Sequence, residues 1–281
     1  MRIKLILITA ISLIFMSAAG RCDNPPATPA KTKEKILYIF AHQDDELDIV
    51  AKMALDMREG NDVYAAWTTN GDLSAPADVR EMESRDCMKL IGVPQDHLYF
   101  LGYHDMGVLK NLDGIFSDLL KIALEIKPNA IFTGAYEGGH IDHDASSPIG
   151  MLLVERLPAG TKHYEFSSYN LYKKKYRVGE LLPRDDVKTE YVPLDDSLLE
   201  IKLKSLKLYP SQAALLNILM ATTNKKTLKK MGEPYRIAPK YNYLKRPVDE
   251  PLGYETMVKR TTPFSDWLAA IKPFLEKHAR Q

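Results

Sequence analysis

The sequence has almost no cysteine, no surplus of either charge and only one long apolar run. Its 281 residues include two cysteines, Cys22 and Cys87, too few for a disulfide framework. Cys87 sits in a helical pattern, where a thiol reads as a small buried apolar group. Lysine and arginine number 38 against 37 aspartates and glutamates, a balance that argues against a nucleic-acid partner. The apolar run "LILITAISLIFMSAA" follows the short basic start "MRIK" and precedes small residues. It is shorter than the roughly 20 residues a membrane span needs and matches the central region of a secretory signal. The expectation is a signal peptide over residues 1–20, no membrane span once it is cleaved, and an extracytoplasmic location that is periplasmic, envelope-associated or secreted. Losing Arg2 and Lys4 with it shifts the formal net charge from +1 to −1. Cys22 stands where a bacterial lipoprotein would carry its lipid, but Arg21 directly before it is a poor residue for that processing.

Next comes "DNPPATPAKTKEK" (Asp23–Lys35), rich in Pro, Ala, Thr and Lys and with nothing to pack, so residues 21–35 read as a flexible linker. From Ile36 the apolar pattern alternates between short continuous runs and stretches of helical period, the mark of a parallel sheet with crossover helices. Strands are expected at Ile36–Phe40, Val63–Thr68, Leu98–Leu101, Ala130–Thr133 and His163–Ser168. Helices are expected at Asp45–Arg58, Val79–Ile91 and Phe116–Ile126, with a fourth after His143. The fold class is α/β, a Rossmann-like doubly wound, mostly parallel sheet of order 3-2-1-4-5 at its start. One domain over 36–281 would comprise a core at 36–172 and a C-terminal α/β extension at 173–281 packed near the active-site face, ending in a helix kinked or broken at Pro273.

That strand order sets the first and fourth strands side by side where the winding reverses, and ligands bind there, outside the carboxyl ends. The first strand exits into "AHQDDE" and the fourth into "GAYEGGHIDHD", so two polar clusters nearly a hundred residues apart would share one crevice. The glycines of a dinucleotide site are missing after the first strand, which excludes a nicotinamide or flavin site of that type. Alone, Asp44 and Asp45 suit helix capping, and His140 and His143 suit a loop. Together they crowd carboxylates that raise one another's cost of ionisation, which asks for a positive partner. A histidine and an aspartate from one loop with a histidine from the other form the ligand set of a catalytic zinc with one position open to water. Asp44, His140 and Asp142 then remain for proton transfer.

"AHQDDE" followed by "HIDHD" resembles the PIG-L/LmbE family of zinc-dependent N-acetylglucosaminide deacetylases, whose first motif is usually AHPDDE; Gln43 replaces the proline. "TTNGD" (Thr68–Asp72), Arg80 with Glu83, "LGYHD" (Leu101–Asp105), "KLKSLKLYPSQ" (Lys202–Gln212) and "EPYR" (Glu233–Arg236) extend the resemblance, closely before Asp144 and loosely after it. It implies that His42, Asp45 and His143 hold one zinc ion per chain, that Asp44 is the general base, and that His140, with Asp142 behind it, stabilises the oxyanion. An Asp142 carboxylate on the His140 ring would keep that ring charged near neutral pH. Arg80 and Asp105 match positions that bind sugar hydroxyls, and the substrate implied is an N-acetylated amino sugar or glycan. Glu46 is left to hold the loop. Lys173–Lys175 and "NKKTLKK" (Asn224–Lys230) read as solvated faces. Competing readings are a metal-dependent hydrolase of another amide or ester and a non-catalytic sugar-binding protein on the same scaffold. A two-metal phosphatase would need more bridging carboxylates, and a helical HD-type phosphohydrolase conflicts with the strands.

Overall fold

A computed structural model describes residues 32–279 except 215, 218–224 and 258–260. The expected signal peptide, most of the expected linker and Cys22 lie outside the described residues. Strands β1 (Lys35–Phe40), β2 (Asp62–Thr69), β3 (Leu98–Tyr103), β4 (Ala130–Gly134) and β5 (Lys162–Phe166) are parallel and lie in the order β3-β2-β1-β4-β5, as the alternating pattern requires. β1 reads "KILYIF" with no polar alternation because both its faces are covered. Tyr38 and Phe40 enter one core with Trp67 and Phe132, while Leu37 and Ile39 enter the other with Ala66 and Ile131.

Helices α1 (Val50–Arg58), α2 (Ala77–Ile91), α3 (Leu112–Ile126) and α4 (Ile141–Arg156) are the crossovers. α1 and α2 line the first core, α3 and α4 the second. Two of them depart from expectation at the ends that bear the site. The helix expected from Asp45 is a 3-10 turn over Asp45–Asp48 that breaks at Ile49, whose φ of −133° lies outside helical space, before α1 begins. α4 starts at Ile141 rather than after His143, with His140 as its N-cap.

Beyond β5 the chain adds β6 (Tyr169–Asn170) and β7 (Arg177–Val178), which form a separate two-stranded hairpin, and then β8 (Glu190–Val192) and β9 (Glu233–Ile237), which extend the main sheet antiparallel beside β5. Between these last two lies α5 (Asp196–Ser205), packed against α1 and α2 on the first core. The terminal helix, Phe264–His278, runs through Pro273 unbroken. Burial of Trp267, Ile271 and Phe274 offsets the one hydrogen bond a proline removes.

The β5–β9 join carries an ion pair in the interior. Arg236 and Glu165 are 1% and 0% exposed, and the guanidinium Nε donates to Glu165 Oε1 at 2.7 Å. Nη1 donates to Leu182 O and Nη2 to the Tyr241 hydroxyl. Removing one member strands the other charge in a dry site, at a cost of about 3–5 kcal/mol. Urea denaturation of Arg236→Leu should show a loss of that order, and Arg236→Leu combined with Glu165→Leu should regain most of it. Equal destabilisation in the single and double variants would contradict the pairing.

Candidate active site

The carboxyl ends of β1 and β4 deliver their loops into one crevice, as the strand order requires. Asp45 turns back on the strand it leaves, its Oδ2 accepting from the Ala41 and His42 N–H groups at 3.0 and 2.8 Å. That closes the turn and aims Oδ1 outward, 3.1 Å from His143 Nε2. His42 Nδ1 lies 3.1 Å from the same His143 Nε2 and 3.6 Å from Asp45 Oδ2. Zinc bonds of about 2.0–2.2 Å at tetrahedral angles separate neighbouring ligand atoms by roughly 3.3–3.6 Å, close to the spacings among these side chains. His42, His140 and His143 also bring ring nitrogens within 4.8 Å of one another.

Electrostatics point the same way. Burial disfavours a charged His42, yet Asp105, Asp142 and Asp45 around it raise its pKa well above the usual value; burial likewise opposes a charged His143, and Asp45 raises it. Asp45 is held well below the ordinary carboxylate range by the two histidines, against the effect of burial. The carboxylates around His42 and His143 therefore favour a positive charge at this point of the crevice.

Behind the rings stand further carboxylates. His42 Nε2 is 3.1 Å from Asp105 Oδ1 and 3.3 Å from Asp142 Oδ2, the arrangement in which an outer carboxylate fixes the tautomer of a metal-binding histidine. The expected support of His140 by the Asp142 carboxylate is replaced by a different geometry. Asp142 accepts from the Met106 and Val108 N–H groups at 2.7 and 3.1 Å and faces His42. His140 Nδ1 instead accepts from the Asp142 backbone N–H at 3.2 Å, which leaves the ring proton on Nε2. Burial, with His42 and His143 close by, lowers the His140 pKa to about 3, so the ring is a neutral N–H donor here.

Asp44 sits beside this cluster, its side chain 22% exposed. Its carboxyl is pushed up to about 7 by desolvation, against the pull of Arg80, whose Nη2 donates to Asp44 Oδ1 at 3.0 Å. Arg80 is 2% exposed and lies against Ser211 and Glu83. Gly71 gives it room: a Cβ there would stand 2.7 Å from Gln43 Oε1 and 2.9 Å from Arg80 Nε. The Gln43 side-chain amide meanwhile donates to Thr69 O at 2.8 Å, tying the β1 loop to the end of β2.

Supports from the last third of the chain were not derivable from spacing. Glu46 accepts from Trp67 Nε1 and, at 2.5 Å, from the Tyr209 hydroxyl. Ser211 donates through both its N–H and its hydroxyl to Glu83. Glu233 accepts from the Ala51 and Lys52 N–H groups in the first turn of α1, and Lys202 bridges Glu233 to Leu47 O. The signal in the sequence was the pair of polar stretches "KLKSLKLYPSQ" and "EPYR", which supply all four residues.

No curated protein matches the sequence. Residues 37–154 match the family model PIG-L, described as GlcNAc-PI de-N-acetylase. Among solved structures, a deacetylase of teicoplanin biosynthesis is 16% identical with a TM-score of 0.59, over 72% of this chain and 96% of that one. The N,N'-diacetylchitobiose deacetylase of Pyrococcus horikoshii is 19% identical with a TM-score of 0.55, over 75% and 86%. A 4-carboxy-2-hydroxymuconate hydratase is 12% identical with a TM-score of 0.53, over 74% and 98%. These likenesses show a shared fold, and the hydratase among them illustrates that the fold alone does not set the reaction. With its mostly parallel sheet and its two converging motifs, the chain is similar over residues 37–154 to the PIG-L family.

Proposed function

We propose that the chain is a zinc-dependent N-deacetylase acting on N-acetylated amino sugars or glycans, with one ion per chain held by His42, Asp45 and His143. The observation that carries this reading is the meeting of His42 Nδ1, His143 Nε2 and Asp45 Oδ1, with Asp44 alongside. A zinc ion held there supplies a Lewis acid for the amide carbonyl and lowers the pKa of water toward about 7. Asp44 takes a proton from the attacking water and passes it to the leaving nitrogen as the C–N bond breaks, base and then acid. The products are acetate and a free amine. His140 Nε2–H donates to the carbonyl oxygen as its charge grows, a contribution on the order of 10² to 10³ in rate. Asp142 positions the metal side of the site through His42 and the 106–108 loop. The basic start and apolar run of residues 1–20 support an extracytoplasmic reading; among the described residues no helix is long and apolar enough to cross a membrane.

Acetate release from N-acetylglucosamine oligosaccharides tests the reaction. The zinc-loaded protein should release acetate, and Asp44→Asn should lower the rate about 10² to 10⁴-fold while still binding one metal ion. Zinc bound at one per chain with no acetate from any such glycan would count against the deacetylase and for a sugar-binding protein.

Metal affinity tests the outer carboxylate. Asp105→Ala should weaken zinc binding about 10 to 100-fold in a chelator competition, because His42 loses one of the two carboxylates facing its Nε2. Unchanged affinity would leave Asp105 as a substrate contact alone.

Arg80 touches Asp44 and is itself almost fully buried. Arg80→Met and Gly71→Ala should therefore both reduce kcat about ten- to a hundredfold, the scale of a misplaced catalytic group, with little change in KM. A raised KM at constant kcat would identify Arg80 as a sugar ligand.

A further inference from the structure

The hairpin formed by β6 and β7 is built onto the metal site. The Tyr169 ring stands edge-on to the His143 ring at 5.6 Å between centroids. Gly139 allows the approach, since a Cβ there would stand 1.9 Å from Tyr169 O. The buried Glu137 carboxylate accepts from Ser168 N–H at 2.8 Å and from the Asn170 side-chain amide at 3.1 Å, clamping the base of the hairpin to the β4 loop. At the other end, the Tyr176 ring folds back to 5.6 Å from Tyr169.

Its tip carries three consecutive lysines, all exposed. Lys173 and Lys174 have φ of 55° and 57°, left-handed values uncommon for residues with a side chain. The turn is pinned in that shape by Glu250 Oε1, which accepts from the Lys173 N–H at 2.8 Å. Nearby cations are already occupied: Arg177 pairs with Glu180 at 2.5 Å, and the Lys173 ammonium lies 5.2 Å over the Tyr172 ring. Among the described residues, Lys174 and Lys175 have no carboxylate within ion-pair distance. Lys175 is one Cα step, about 3.8 Å, from Tyr176. The basic tip thus leads directly into the Tyr176 ring, which folds back on Tyr169 beside His143. Asp44, Asp72 and Asp105 also belong to the crevice and its border, with Asp72 Oδ1 accepting from Asp105 N–H. An anionic chain would be repelled by that acidic side unless a basic side held it.

We propose that the acetylated sugar is presented within an anionic glycan, and that Lys174 and Lys175 hold an acidic group on a neighbouring unit. This rests on the deacetylase reading for the site and adds the class of substrate. The lysine ammonium is a point charge that takes a carboxylate or a phosphate alike, so the probes separate those sources.

Calorimetric titration of the zinc-loaded protein at low salt would compare chitotetraose, a heparosan tetrasaccharide of alternating glucuronate and N-acetylglucosamine, and N-acetylglucosamine 1-phosphate against N-acetylglucosamine. At least one acidic probe should bind about tenfold more tightly than its neutral counterpart, and the advantage should fade at 0.5 M salt. In Lys174→Gln combined with Lys175→Gln the advantage should disappear while chitotetraose binds as before, which also reports an intact fold. Acidic probes that bind no better than neutral ones, or a preference that survives the double variant, would overturn the proposal. Acetate release measured in the same samples judges the deacetylase separately: preferential binding without acetate would sink that reading and leave the basic tip as an anion-binding surface.

Discussion

Carboxylates gathered at the end of a buried strand must each be given donors, and that requirement organises the loops around the site. Asp45 takes the Ala41 and His42 N–H groups, Asp142 those of Met106 and Val108, and Asp144 those of Glu137 and Gly138. Glu137 in turn takes the Ser168 N–H and the Asn170 amide. In every case the donors belong to a loop that would otherwise have free N–H groups and several accessible shapes. An unsatisfied buried carboxylate is costly, so each becomes a staple between segments. The site is rigid for the same reason that it is acidic.

The same logic explains the part of the chain beyond the parallel sheet. β9 brings Glu233 to the first turn of α1, where it accepts from two N–H groups that have no partner within the helix. Tyr209 and Trp67 share the Glu46 carboxylate, and Ser211 answers Glu83, which flanks Arg80. Among the described residues, Tyr209, Ser211 and Glu233 make no hydrogen bond to His42, Asp45 or His143, yet they set the turn and the helix from which the first loop projects.

The strand order and the convergence of the two motifs were legible because both follow from patterns that survive without an alignment: continuous apolar runs for buried parallel strands, and polar clusters at their exits. The start of α4 was not. A helix beginning at Ile141 makes His140 its cap, turns Nδ1 toward the Asp142 N–H and sends the Asp142 side chain toward Met106 and Val108. Three residues of difference in a helix start thus exchange the partners of a histidine and an aspartate, and residue spacing alone cannot register that. Nor could it register Glu233, which lies 182 residues from Ala51 and is placed only by an antiparallel strand at the far side of β5.

The cap that Glu233 places on α1 bears on how the protein is assembled. His42, Asp45 and His143 all lie within the first 143 residues, but the turn that aims the first two is secured by groups at positions 209 and 233. Contacts so distant along the chain close late in folding, since loop-closure entropy must be overcome first. A chain emerging in order would thus hold these three residues long before it holds them in place, and completion of the last third acts as the checkpoint at which the proposed metal site becomes a fixed geometry.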